Sequence, residues 1–382
     1  MIADDILYIG VDDRTLDLFE GQYPIPNGVS YNSYVILDEK VAVMDTVDHR
    51  KTDAYLENLE RALGGRRPDY LVISHLEPDH ASSIGAFLAK YPDTTLVGNA
   101  KTFQMLPQYF DLELPATLTV KEGDTLCLGK HTLTFVMAPM VHWPEVMVSY
   151  DSCDKVLFSA DAFGKFGALD AEEAWDCEAR RYYFNIVGKY GPQVLALLKK
   201  AAGLEIRTVC PLHGPVLQGE ALSHALELYQ IWGSYGVESE GVFIAYASLH
   251  GNTAAAAEKL AGLLREKGCT VETADLARED MAESLENAFR YGKMVLAASS
   301  YNAGLMPFME DFLHHLKAKN YQKRTVALIE NGSWAPSAAR VMKELLGQMK
   351  EITLTEPVIT IRGALKPADE TALAALADQL AG

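Results

Sequence analysis

The chain has 382 residues, with 34 Lys and Arg against 52 Asp and Glu and a net charge of −18. That length makes two domains the expectation, and the charge argues against nucleic acid or an anionic membrane as a partner. It also predicts weak or locally patterned steering towards any acidic electron carrier. Five scattered cysteines without a C-x-x-C pair read as ordinary reduced thiols, so no rubredoxin-type or iron–sulfur centre is built in. No apolar run reaches the roughly 18–20 residues that span a bilayer. The acidic N-terminus lacks a basic n-region, so no signal peptide is expected and the cytoplasm is the expected compartment.

In chain order, residues 6–10 read as a strand and 22–28 as a turn-rich loop. Residues 30–37 and 41–46 form a hairpin around residues 38–40, with Asp45 at the strand end. Residues 52–63 read as a helix capped by Gly64. The apolar run 70–73 has the length and β-branched content of a buried strand. It delivers S-H-L-E-P-D-H at 74–80, four metal-capable side chains within six residues: His75, Glu77, Asp79 and His80. In an extended segment the i, i+2, i+4 spacing puts His75, Glu77 and Asp79 on one side, and Pro78 predicts a rigid loop here rather than a helix. Alone, the stretch reads equally well as a solvated polar loop. Further strands end at His142, Asp161 and His213, and a metal centre at one edge of a sheet needs several such ligands. Helices are expected at 82–90 and from residue 180 to about 202.

H-x-E-x-D-H at 75–80, H-W-P-E at 142–145, S-A-D-A-F-G at 159–164 and L-H-G-P at 212–215 resemble the metallo-β-lactamase domain of flavodiiron proteins. Hydrolases of that fold usually carry H-x-H-x-D-H. Here Glu77 stands in place of the second His, and the oxygen-rich set favours iron over zinc. The resemblance implies that His75, Glu77 and His142 bind one iron and Asp79 and His213 the other, with Asp161 bridging. It implies that His80 can lie near the metal without ligating and that Asp45 supports the site from behind. A tyrosine lining the substrate pocket is implied as well, Tyr182 or Tyr183, with Tyr182 the candidate. After the first motif the family usually continues H-S-G, and this chain has His80-Ala81-Ser82.

The chain changes character near residues 238–241. Strands near 242–247, 269–275, 294–299, 324–330 and 351–361 alternate with helices near 253–267, 278–291, 307–318, 335–349 and 367–381, which argues for a doubly wound domain. S-L-H-G-N-T at 248–253 leads into a helix N-terminus without Lys or Arg, a cradle suited to a phosphate monoester. The loops 299–304 and 331–336 follow the third and fourth strands, where ligands of such sheets bind. Their amides and the rings of Tyr301 and Trp334 suit a flavin. This half resembles flavodoxin, departing at Ser299, where Pro is frequent, and at Ala303, where Asn is frequent.

The expected fold is therefore α/β, a metallo-β-lactamase-like αββα sandwich over residues 1–240 followed by a flavodoxin-like doubly wound parallel sheet over 241–382. The expected FMN contacts are Ser248, Leu249, His250, Gly251, Asn252, Thr253, Ser300, Tyr301, Asn302, Ala303, Gly304, Gly332, Ser333 and Trp334. Together the two resemblances imply a terminal reductase that passes electrons from FMN to two irons and reduces dioxygen or nitric oxide. They also imply a head-to-tail homodimer or dimer of dimers, fed by an external donor such as rubredoxin or a reduced deazaflavin. Two alternatives are a zinc hydrolase fused to a flavodoxin and an electron-transfer flavoprotein with a remnant lactamase domain. Glu77 and the full set of six ligands argue against them.

Overall fold

A computed structural model describes residues 2–111 and 114–382; Met1, Leu112 and Glu113 lie outside the described residues. The chain divides into two compact units, Met1–Gly233 and Ser234–Gly382. The division falls before the expected one at 240/241. The Arg324 guanidinium holds the intervening segment in the second unit by donating to the carbonyls of Tyr235 and Gly236, both at 2.8 Å.

The first unit is built on two six-stranded sheets. One runs in the order Ile6–Tyr8, Tyr34–Leu37, Val41–Met44, Tyr70–Val72, Thr95–Asn99, Thr117–Val120. The other runs Thr125–Cys127, Thr132–Met137, Met147–Asp151, Val156–Phe158, Thr208–Cys210, Leu217–Gln218. The edge-side strand Thr132–Met137 alternates, with Leu133 and Phe135 buried and Thr132 and Thr134 half-buried, the pattern of a strand with one face on a core. Tyr34, Ile36, Met44 and Val72 from one sheet meet Leu133, Phe135, Met147 and Phe158 from the other in one apolar cluster. Val41–Met44 is buried throughout, as a strand with both faces covered must be. The helix Thr52–Leu63 buries Tyr55, Leu59 and Leu63, one side at i, i+4, i+8. It stops at Gly64, whose φ of 56° is the left-handed cap that glycine accepts at least cost.

Three expectations are corrected. Pro78 does not exclude a helix. It sits at the first turn of the short helix Pro78–Ala81, where its missing N–H would be unpaired anyway. The helix expected from residue 180 begins at Trp175 and is broken into Trp175–Tyr182, a π-helical turn Tyr183–Val187, a 3-10 turn Gly188–Tyr190 and Gly191–Ala201. Gly188 and the Gly191-Pro192 pair lower helix stability where the break falls. The last strand expected at 351–361 is two, Lys350–Leu354 and Ile359–Ile361, separated around Pro357, which cannot donate to a ladder.

In the second unit five strands run parallel in the order Val271–Asp275, Ser239–Ala247, Tyr291–Tyr301, Gln322–Asn331, Lys350–Leu354. In chain order this is 2-1-3-4-5, the flavodoxin-like arrangement. The helices Asn252–Glu266 and Pro367–Ala381 pack Leu260, Leu264, Leu373 and Leu380 onto Ile244, Val295 and Ile329. The three central strands send their carboxyl ends to one edge, and that edge carries the second candidate site.

Candidate metal centre and flavin site

The first unit places seven ionisable side chains in two adjoining groups. His75, Glu77, His142 and Asp161 form one; Asp79, His80 and His213 form the other. In the first, Glu77 Oε2 lies 3.2 Å from His75 Nε2 and 2.9 Å from His142 Nε2. In the second, Asp79 Oδ2 lies 3.4 Å from His80 Nε2 and 3.2 Å from His213 Nε2. Asp161 faces both groups. Its Oδ2 is 3.3 Å from His75 Nε2 and from His142 Nε2, while its Oδ1 is 3.1 Å from His80 Nε2 and 3.9 Å from His213 Nε2. The break in conformation at Pro78 makes this partition. His75 and Glu77 leave the strand extended, whereas Asp79 and His80 are carried on the helical turn. His75, Glu77 and Asp79 therefore do not share one side, as an extended reading of 74–80 implies, and His80 stands as close to Asp79 as His213 does.

These side chains fit a pair of cations. Both oxygens of Asp79 and of Asp161, both ring nitrogens of His80 and Nε2 of His213 are buried without a hydrogen-bond partner. Buried polar atoms rarely go unpaired, and two carboxylates with imidazoles converging on shared points are ligands in type and number. Burial opposes ionisation of Glu77, yet the hydrogen bonds of His142 and His75 hold its carboxyl well below its ordinary value. The carboxylates in turn push His142 up to about 9 against burial. The field at the cluster thus welcomes positive charge.

A supporting layer fixes the ring orientations. His75 Nδ1 donates to Glu145 Oε1 at 2.8 Å, and the Leu76 N–H donates to the same oxygen at 2.9 Å. His213 Nδ1 donates to the Ser30 carbonyl at 2.7 Å. Both bonds leave Nε2 turned inward, as ligating imidazoles require. Asp45 Oδ1 accepts from the Ser74 N–H at 2.6 Å and the His75 N–H at 3.3 Å. Glu145 stands in the H-W-P-E motif, and its spacing from His142 is the signal that could have marked it. Nothing local marks Glu20. It sits in the turn between Leu18–Phe19 and Tyr23–Pro24, and burial and Glu77 push its carboxyl up to about 7. With Phe19, Tyr31 and Arg50 it lines a cavity of about 270 Å³ that reaches Glu77 and Asp79. Of the two tyrosines, Tyr182 faces the cluster, its ring 5.5 Å from that of His213. Tyr183 packs on Tyr229 and Trp232 instead.

In the second unit a cavity of about 320 Å³ opens at the carboxyl ends of the central strands. Twelve of the fourteen residues expected there line it; Gly251 and Gly304 do not. Gly251 acts through its backbone: with φ of 86° it caps the helix Asn252–Glu266, and its N–H bonds Ser248 Oγ at 3.1 Å. Gly304 pairs with Tyr301 in the turn below. Ser299, Asn331 and Gly363 also line the cavity. Ser299 Oγ bonds Thr253 Oγ1 at 2.9 Å and accepts from the Leu249 N–H at 3.3 Å. Asn331 is held by two bonds to Gly363. Hydroxyls and a helix N-terminus at one end, with an exposed Trp334 and Tyr301 at the other, fit the phosphate and the flat ring of FMN. Lys and Arg are absent from the described lining residues, which suits a monoester held by amides and hydroxyls.

Residues 29–214 match the family described as ODP family beta lactamase, and residues 244–375 match flavodoxin. The rubredoxin-oxygen oxidoreductase of Megalodesulfovibrio gigas is 28% identical over 91% of this chain and 89% of its own. The anaerobic nitric oxide reductase flavorubredoxin of Escherichia coli is 29% identical over 88% of this chain and 73% of its own. Among solved structures, the flavodiiron protein of Giardia intestinalis superposes with a TM-score of 0.93 at 26% identity, covering 99% of this chain and 95% of that one. The Desulfovibrio gigas rubredoxin oxygen:oxidoreductase gives 0.92 at 27%, covering 100% and 97%.

Proposed function

We infer that this chain, which belongs to the flavodiiron protein family, is an oxidoreductase that reduces dioxygen, nitric oxide or both. When bound, FMN supplies electrons to an iron pair, and that pair supplies the reduction of dioxygen to water or of nitric oxide to nitrous oxide. The observation that carries the reading is Asp161, whose two oxygens each face one group of ligands.

Within the proposal His75, Glu77 and His142 hold one iron, Asp79 and His213 hold the other, and Asp161 joins them. His80 completes the second group, because its Nε2 lies within reach of both Asp79 and Asp161. Glu145 and Ser30 keep the inward nitrogens of His75 and His213 free of protons. Buried rings of Phe19, Phe166 and Tyr182 wall the side of His213 and keep water from it, while the Tyr182 hydroxyl stays protonated because burial and Asp161 push its pKa far up. The phosphate of FMN is held by the 248–253 loop and Thr253, and its ring by Tyr301, Trp334 and the amides of 300–304 and 332–333. A zinc hydrolase is disfavoured by Glu77, which adds a carboxylate to the set.

The diiron site is proposed to belong to the first unit, Met1–Gly233, and the FMN site to the second, Ser234–Gly382. No helix among the described residues is long and apolar enough to cross a membrane, and the reaction is placed by proposal in the cytoplasm. The two sites lie in separate units of the chain, so the proposal includes a head-to-tail homodimer, or a dimer of dimers, in which the FMN of one subunit serves the irons of the other. An external rubredoxin or reduced deazaflavin is the proposed donor. The test is metal and flavin analysis joined to anaerobic turnover with both gases. Two irons and one FMN per chain, with gas consumption lost and FMN retained in His142→Ala, support the reading. Zinc in place of iron with no gas consumption refutes it. A fully active monomer would refute the dimer.

A further inference from the structure

The far end of the first unit's second sheet carries another group of ligating side chains. His131 precedes the strand Thr132–Met137, Asp151 ends Met147–Asp151, and Cys153 and Asp154 form the turn into Val156–Phe158. Asp5 stands just before the first strand of the other sheet. The iron ligands His142 and Asp161 lie beyond the opposite ends of these strands. Thr132–Met137 alone spans roughly 20 Å at about 3.3 Å per residue, so the two groups are separate sites.

Ligand atoms of His131, Cys153 and Asp154 all lie within 4.8 Å of one another. His131 is fully buried. Its Nε2 lies 3.1 Å from Asp5 Oδ2 and 3.9 Å from Asp154 Oδ2, and its Nδ1 lies 3.2 Å from Asp151 Oδ1. None of these approaches is a hydrogen bond in geometry: both ring nitrogens, Asp5 Oδ1 and Asp154 Oδ2 are buried without a hydrogen-bond partner. Asp151 is itself fixed, accepting from the N–H groups of Cys153 at 3.3 Å and Asp154 at 2.8 Å. A buried carboxylate behind one imidazole nitrogen, with acceptors gathered before the other, is the carboxylate–histidine–metal arrangement. One imidazole, one thiolate and two carboxylates suit a four-coordinate zinc ion.

We propose that His131, Cys153, Asp154 and Asp5 bind one zinc ion at the end of the sandwich opposite the iron pair, with Asp151 as the positioning residue behind His131. Binding releases the Cys153 thiol proton and the His131 ring proton to water. The electrostatics agree. Burial opposes charge on His131, yet Asp151 and Asp5 carry its pKa up to about 9; burial likewise opposes charge on Asp5 and Asp151, but contacts with Lys130 and His131 hold the first down and contacts with His131 the second. The half-exposed Lys130 ammonium lies 2.8 Å from Asp5 Oδ2 and 3.7 Å from Asp154 Oδ2. It is the competing cation, and its flexible stem lets it withdraw into water when the ion enters. An occupied site ties the first strand of one sheet to the hairpin of the other.

The test uses the full chain loaded with iron and FMN, titrated with Zn²⁺ against a chromophoric chelator, with Co²⁺ as a spectroscopic probe of thiolate ligation. The expected result is one zinc per chain above the iron, with iron content unchanged. Cys153→Ser, a change at a partly exposed turn, lowers the affinity at least about tenfold and removes the thiolate-to-cobalt band. Asp151→Asn weakens binding about 10–100-fold, the range for supporting carboxylates. Lys130→Ala strengthens it, and Cys269→Ser, in the other unit, leaves it unchanged. Zinc taken up only with equal loss of iron, or uptake unchanged in Cys153→Ser, overturns the proposal.

Discussion

Glu145→Gln isolates the support given to His75, one of the proposed iron ligands. Glu145 is fully buried, and a single oxygen, Oε1, accepts from both His75 Nδ1 and the Leu76 N–H. The amide oxygen of Gln keeps both acceptor bonds and the side-chain volume, so the change removes mainly the negative charge behind the imidazole. Charge-assisted hydrogen bonds are about twice as strong as neutral ones. Loss of a carboxylate behind a ligating histidine typically costs about 10–100-fold in metal affinity or activity, which corresponds to about 1.4–2.7 kcal/mol. Glu145→Ala is a poorer probe, because it strands two buried donors at about 1–3 kcal/mol each and disturbs folding as well as binding. The assay is Fe(II) titration of the metal-free chain under chelator competition, with gas turnover, FMN stoichiometry and thermal unfolding measured beside it. Iron affinity and turnover should fall together while FMN content and the unfolding midpoint of the metal-free chain stay near wild type. A Glu145→Gln protein that binds both irons with wild-type affinity and turns over normally would refute the reasoning.

Thr253→Ala removes a hydroxyl at the phosphate end of the flavin cavity, and FMN affinity should fall roughly tenfold, as loss of a hydrogen bond to a charged group implies; flavin fluorescence titration reads it, with iron content unchanged. Trp334→Ala should weaken FMN binding by about two- to tenfold through lost stacking, checked by the same titration. Leu260→Ala cuts into the second unit's core, where Leu260 is fully buried, and should cost about 2–5 kcal/mol in the urea unfolding transition reported by flavin release. His131, raised from its ordinary value to about 9 because Asp151 and Asp5 outweigh burial, contributes stability that is complete below its unfolded pKa and is lost as pH rises through about 9. The melting temperature of the metal-free chain should therefore fall over that interval, and His131→Gln should flatten the dependence.

The proposed iron ligands could be picked out because their chemistry is written in single residues at strand ends. Each of His75, His142, Asp161 and His213 follows a strand or the turn after one, and the fold brings strand ends to one edge. The division of ligands into two groups was carried by the family resemblance and not by the spacing of the residues. It depends on Pro78 starting a helical turn, and the periodicity of an extended segment concealed that. The closeness of His80 to Asp79 and Asp161 escaped for the same reason. Glu20 was invisible because only the turn at 19–23 folding over Glu77 gives it a role, and that contact spans 57 residues of chain. In the flavin half the loop residues stood out by composition, since hydroxyls and amides clustered after apolar runs. Gly363 escaped because flavin contacts were sought only in the loops after the first, third and fourth strands, and the turn after Ile359–Ile361 also reaches the cavity.

The anchoring of His213 bears on how the polypeptide matures. Its ring is bonded to the Ser30 carbonyl, and the neighbouring Pro211 and Gly214 carbonyls accept from Asn32 at 2.8 and 2.7 Å, across separations of 179 to 183 residues. Closing a loop that long carries roughly 4–5 kcal/mol of chain entropy before any contact rewards it, and such distant pairings form slowly. On the ribosome, His75 and Glu77 emerge long before His213. The flavodoxin-like half needs no pairing of comparable reach, since each strand joins a neighbour within a few tens of residues. The two sites thus place different demands on folding: the ligand cluster needs segments 179 to 183 residues apart to pair, whereas the flavin cavity stands on pairings of shorter reach.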